Sequence, residues 1–189
     1  MGQATILAFA GSTRRESFNR RALKIAVAGA ESAGAQVRLI DLAEYPLPLF
    51  NQDAEQEDGT PENAKRLKQL FIDHAGLLLA CPEYNSSITP LLKNTIDWVS
   101  RPAPGEPSLV AYKGKVATLL SASPGALGGL RGLAHVRAIL GNIGVIVLPD
   151  QIAVGQAAQA FNPDGSLKDA KFHAAVGELG AGLARYLSR

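Results

Sequence analysis

The stretch TILAFAGSTRRESFNRRALKIAVAGA, residues 5–30, decides the fold. Its apolar run from Ile6 to Ala10 breaks at Gly11, gives way to a polar segment and re-emerges as a helical pattern from about Asn19. That order reads as a strand, a tight loop and a helix. The loop brings Ser12, Thr13, Arg14, Arg15, Ser17 and Asn19 to the start of the helix. There the first backbone N–H groups lack partners and the helix dipole is positive, so the place suits a phosphate.

Two better-known phosphate loops are excluded. After Gly11 the loop has none of the spaced glycines of a dinucleotide fingerprint, and it does not end in the Gly-Lys-Ser/Thr of a nucleotide P-loop. What it offers is a cradle of side chains, which fits a monophosphate enclosed on several sides. The competing reading is a polar loop capped by Ser17 that holds no ligand.

Outward from this stretch, further apolar strands appear at AGLLLAC (75–81), KVATLLSA (115–122) and VIVLP (145–149). QVRLIDL (36–42) alternates like a strand with one wetter face. Helical patterns separate these runs. The first ends at Gly34, the next takes Thr60 as cap and Pro61 as first residue, and PLLKNTIDWVSR starts at Pro90. Another spans about Leu133 to Gly141, and residues 167–188 form a closing helix. Between Ala43 and Pro61 the pattern dissolves. We read that segment as a flap whose Leu47-Pro48-Leu49-Phe50 part packs near the pocket, against the alternative of a plain surface loop.

Strand and helix alternate five times, which with right-handed crossovers predicts an α/β fold with a doubly wound parallel sheet and helices on both faces. Ligands of such sheets sit outside the carboxyl ends of the strands. The loops after strands one, three and four are therefore expected at one rim. The second loop, PEYNSSIT (82–89), brings the flat ring of Tyr84 and the amide of Asn85. The third, SPGALGGLRG (123–132), brings Ser123, Gly125 and Gly128 with backbone amides free to meet carbonyl oxygens. A phosphate cradle, an aromatic ring and a glycine loop at one rim describe a site for flavin mononucleotide, FMN.

GSTRRESFNRRAL, PEYNSSITPLLKNTIDWVSR and SPGALGG, in this order along nearly the whole chain, resemble the signature segments of the NAD(P)H-dependent FMN reductases. That family comprises flavodoxin-like quinone, azo-dye and chromate reductases. The resemblance implies one flavodoxin-like domain over residues 1–189 and a five-stranded parallel sheet in the order 2-1-3-4-5. It also implies FMN as cofactor, NAD(P)H as co-substrate, a small-molecule electron acceptor, and a homodimer or homotetramer packed through helices beside the flavin. Residue by residue, it implies that Ser12, Arg14, Ser17 and Asn19 hold the phosphate. Pro82, Glu83, Tyr84 and Asn85 would line the ring, and Ser123, Pro124, Gly125 and Gly128 would meet its pyrimidine end. The family commonly has Pro-Gly where this chain has Thr89-Pro90. The chemistry asks little of side chains, so no catalytic residue is named.

The remaining features narrow the field. A net charge of +2 over 189 residues, with no basic cluster interleaved with aromatics, does not point to nucleic acid. It also lacks the strong single-sign surface expected of a flavodoxin-type electron carrier, the first alternative function. The second alternative is a regulatory member without flavin, which the Thr89-Pro90 difference keeps open. One cysteine, Cys81, excludes an internal disulfide and a cysteine-based metal site, and fits a reducing cytoplasm. A phosphatase reading of Cys81 needs an arginine six residues later, where Ser87 stands. The first apolar run ends too soon for a secretory signal, and no run reaches the roughly 20 apolar residues of a membrane helix. His74, His135 and His173 share no metal-ligand spacing, Glu83 is as suited to pairing with an arginine of a neighbouring chain as to the flavin, and Trp98 reads as core or subunit contact.

Overall fold

The computed structural model describes residues 3–189. Strand β1 (Thr5–Ala10) is buried along both faces after its first residue, as an apolar run inside a parallel sheet must be. Helix α1 (Phe18–Ser32) follows with Ser17 as its cap, and β2 (Gln36–Leu39) pairs in parallel with β1. The second strand is shorter than QVRLIDL suggested. It is a sheet edge, and Asp41 turns the chain away by capping a 3₁₀ turn at Leu42–Glu44.

The segment expected to lack structure contains a helix, α2 (Gln52–Asp58), capped by Asn51. It buries no residue, so it has no apolar period to betray it, and it is tethered by Glu55, whose carboxylate accepts from Arg101 Nε at 2.8 Å. Helix α3 (Glu62–Asp73) begins one position later than expected. Pro61 occupies the cap position and no side chain caps the first turn, so the role assigned to Thr60 is not filled.

Strand β3 (Gly76–Ala80) is wholly buried. Where a plain loop was expected, the chain makes a small hairpin, β4 (Glu83–Tyr84) and β5 (Ser87–Ile88), before α4 (Pro90–Val99). After the proline-rich connection come β6 (Val116–Ala122) and α5 (Leu130–Asn142), which starts at Leu130 rather than Leu133. Strand β7 (Ile146–Val154) runs on past Pro149, which an edge strand with an irregular register tolerates. A short turn of helix, α6 (Ala157–Ala160), precedes α7 (Ala170–Leu187), capped by Asp169. Leu167 stands outside that last helix, bridged to Phe161.

The main sheet has the order β2-β1-β3-β6-β7, all parallel, which is the expected 2-1-3-4-5. Helices cover both faces. Ile6, Ala8, Leu78 and Leu120 pack under α1 and α7, while Leu7, Phe9, Leu77 and Leu119 pack under α3, α4 and α5. The first layer is unusually close. A Cβ on Gly29 would collide with the backbone of Gly177, and one on Gly180 with that of Ala26, so α1 and α7 touch main chain to main chain.

Candidate functional site

Strands β1, β3 and β6 end side by side, with Ala10 beside Ala80 and Ala80 beside Leu120. The three loops therefore leave the sheet at one rim. They enclose a depression lined by Ser12, Arg14, Ser17 and Asn19 from the first loop, Pro82, Glu83 and Tyr84 from the second, and Ser123 and Pro124 from the third. Its volume of about 70 Å³ is room for a handful of water-sized groups. That is room for an anionic headgroup, with any ring system lying over the open rim.

In the first loop, Ser12 Oγ accepts from Arg14 N and Ser17 Oγ accepts from Arg20 N, both at 3.4 Å. Each hydroxyl keeps its own proton for a ligand. Arg20 is committed to Asp41 and Arg21 to Glu16, whereas Arg14 makes no ion pair among the described residues and stands exposed at the lip. Asn19 departs from the expected phosphate role. Its buried side-chain amide donates to Ala122 O at 2.8 Å and accepts from Ala122 N at 3.0 Å, the pattern of a strand partner. That amide ties the first loop to the third, and only the backbone N–H of Asn19 remains for an anion.

The second loop is aimed by its hairpin. Asn85 and Ser86 both have positive φ, +50° and +68°, which makes a two-residue type I′ turn without glycine. Such a turn costs backbone strain of order 1 kcal/mol or more per residue and holds Tyr84, 54% exposed, and Asn85 at the tip. Glu83 lines the depression with its carboxylate already engaged. Its carboxylate accepts from Gly132 N at 2.8 Å and Arg131 Nη2 at 2.9 Å, so its arginine partner lies in the same chain. Burial opposes ionisation of Glu83, but these hydrogen bonds and the Arg131 charge outweigh it and hold the carboxyl below its ordinary range. Ser87 Oγ lies 2.8 Å from His135 Nδ1, a second tie between hairpin and α5 that no local pattern signals.

Thr89 joins the first two loops. Its buried hydroxyl donates to Gly11 O at 3.0 Å while accepting from Leu92 N at 3.3 Å, so it caps α4 and clasps the end of β1 at once. In the third loop Ser123 Oγ accepts from Gly125 N, and Gly125 O accepts from Gln156 N beyond β7. Gly128 departs from expectation. It is buried at φ +63°, and a Cβ there would collide with the main chain of Ala153 and Val154, so it docks the loop on β7 and does not line the depression. Asn85 and Gly125 also lie beyond that lining.

The presumed flap is strapped to α4 instead of lining the depression. Pro48 O accepts from Asn94 Nδ2 at 2.9 Å and from Trp98 Nε1 at 2.8 Å, and Phe50 N donates to Asn94 Oδ1. Asn94 and Trp98 of LKNTIDW thus serve as a clasp, with Trp98 in the core. Cys81 is fully buried, and desolvation pushes its thiol far above the ordinary range, so it is no nucleophile. Among the described residues no group of His, Cys, Asp and Glu is placed to hold a metal ion.

The sequence model of the NADPH-dependent FMN reductases matches residues 4–159. The chain belongs to this family. An NAD(P)H-dependent FMN reductase of Pseudomonas aeruginosa is 36% identical over 167 residues, covering 88% of this chain and 85% of its own. A quinone reductase of Pseudomonas putida is 37% identical over 161 residues, covering 84% and 82%. Among solved structures, the flavoenzyme NAD(P)H:(acceptor) oxidoreductase of Paracoccus denitrificans superposes with a TM-score of 0.81 at 28% identity, over 98% of this chain and 97% of its own.

The donor set suits the cofactor named by the family. Two free hydroxyl protons, an unpaired guanidinium and the N-terminus of a 15-residue helix converge where a phosphate would sit. An exposed aromatic ring and a loop of backbone amides flank that point. Leu127 and Leu130, also exposed, add apolar surface around the rim.

Proposed function

We propose that this chain is an FMN-dependent NAD(P)H oxidoreductase acting on quinones, free flavin or similar small acceptors, formed as a single domain over residues 1–189. Hydride transfer from a nicotinamide to such an acceptor is the chemistry that bound FMN supplies. The observation that carries the reading is the meeting of three chemically distinct loops in one depression.

In this reading Ser12, Ser17 and Arg14 hold the phosphate, with the backbone N–H groups at the start of α1 behind them. Tyr84 and Asn85, fixed by the strained hairpin, orient the ring, and Ser123, Pro124 and Gly125 meet its polar end. The side chains of Thr89, Asn19 and Glu83 are committed to other loops and set the distances between the three. No side chain is asked to move a proton, so the protein's contribution is position and exclusion of water.

Leu127 and Leu130, exposed together at the start of α5, support assembly as a homodimer or homotetramer, since neighbouring exposed apolar residues mark an interface. Among the described residues no helix is long and apolar enough to cross a membrane. A buried free thiol accords with a reducing compartment, and we propose the cytoplasm.

The test is anaerobic. Purified protein loaded with FMN should lose its flavin absorbance on addition of NADH or NADPH without any partner protein, and regain it on addition of a benzoquinone. Colour that persists with both nicotinamides would point to the electron carrier. Protein that stays colourless after incubation with FMN and gel filtration would point to a flavin-free member.

A further inference from the structure

Glycines let α7 lie main chain to main chain on α1, and its opposite side faces the edge strand β7. Between α7 and β7 lies a groove of about 590 Å³, within the range of sites for drug-sized ligands. Its walls are Leu148 and Ile152 from β7 and Leu179 from α7, and Gly182 leaves one side flat.

On its floor is Thr118, 1% exposed, whose hydroxyl is the buried side-chain polar atom without a hydrogen-bond partner among the described residues. A buried hydroxyl left unpaired costs about 1–3 kcal/mol, so its retention calls for a reason. The strand beside it bows away at this point. Ala117 pairs with Val147 and Leu119 with Gln151, so Leu148, Pro149 and Asp150 bow out opposite Thr118 alone. The bow is clamped from the other face of the sheet by Arg137, which donates to Val147 O at 3.1 Å and Pro149 O at 3.3 Å. Bulges of this kind gather at functional sites.

We propose that this groove is a second ligand site, for a neutral ring-bearing molecule with one hydroxyl or carbonyl oxygen that pairs with Thr118. Apolar walls and a single buried hydroxyl select such a molecule. The mouth sets Asp150 and Glu178 against Arg185 and Arg189, with the half-exposed ring of Tyr186 beside them, and so favours neither sign of charge. The site is separate from the flavin rim. It shares no lining residue with the depression there, and Thr118 lies four residues, about 13 Å, back along β6 from Ala122.

The test uses 2-naphthol and the full chain with isotope-labelled methyl groups. Titration should move the methyl resonances of Leu148, Ile152 and Leu179 to saturation at one molecule per chain. Thr118→Val keeps the shape and removes the hydroxyl, and should weaken binding about fivefold, with Thr118→Ser close to the original. Gly182→Leu should abolish it by filling the groove. Shifts confined to Ile88 and Leu127 at the flavin rim, no saturable shift at all, or equal binding by Thr118→Val would each overturn the proposal.

Discussion

The hydroxyl of Thr89 donates to the carbonyl oxygen of Gly11 at 3.0 Å, across 78 residues of sequence. One side chain thereby closes the end of β1, caps α4 and fixes the gap between the phosphate loop and the hairpin that carries Tyr84. It also stands where the sequence departs from the family's usual Pro-Gly.

Thr89→Val should therefore destabilise the protein by about 1–3 kcal/mol, because a helix cap and a buried hydrogen bond go together. FMN binding should weaken as the two loops lose their common anchor. Thr89→Ser, which keeps the hydroxyl, should retain most of both. Urea unfolding and quenching of flavin fluorescence measure the two effects.

Ser86 is a non-glycine residue at φ +68° in the type I′ turn. Ser86→Gly should relieve about 1 kcal/mol of strain and raise the thermal midpoint by about 2–4 °C at fixed FMN concentration. Bound flavin should reorient at the same time as the hairpin loosens, read as a change in its visible circular dichroism. An unchanged or lower midpoint would show that the turn is held without strain.

Glu83 has a carboxyl whose folded-state pKa lies below its ordinary value of 4.5. A depressed acid stabilises the fold above its unfolded pKa and loses that contribution as pH falls through the lower folded value. The stability difference between the wild type and Glu83→Gln should be constant above about pH 5.5 and should shrink steadily below pH 4.5. Unfolding measured from pH 3 to 7 checks this; a difference that grows on acidification would mean that burial outweighs the Arg131 and Gly132 contacts.

Much of the architecture could be read from the chain because buried parallel strands announce themselves as unbroken apolar runs. Ile6 to Ala10, Leu77 to Ala80 and Val116 to Ala122 gave the sheet, and their loops gave the rim. What escaped lacked that signal. Helix α2 buries nothing, so its acidic residues have no period, and only the Asn51 cap and Gly59 marked its ends. The hairpin at Tyr84 has two-residue strands and a turn with no glycine. The roles of Asn19 and Glu83 depend on partners 103 and 49 residues away, Ala122 and Gly132, which no local pattern can pair. In each case the residue type pointed to ligand chemistry while the long-range contact assigned it to holding the loops together.

The most direct test of the FMN site is a paired titration of the Arg14→Ala variant with FMN and with riboflavin. Arg14 is the guanidinium at the lip of the depression without an ion pair, and riboflavin differs from FMN only by lacking the phosphate. The charge-assisted contact is worth about 1.5–3 kcal/mol, so FMN affinity should fall roughly 10- to 150-fold while riboflavin affinity stays within a factor of two. Equal losses for both ligands, or none for either, would contradict a phosphate held by the first loop.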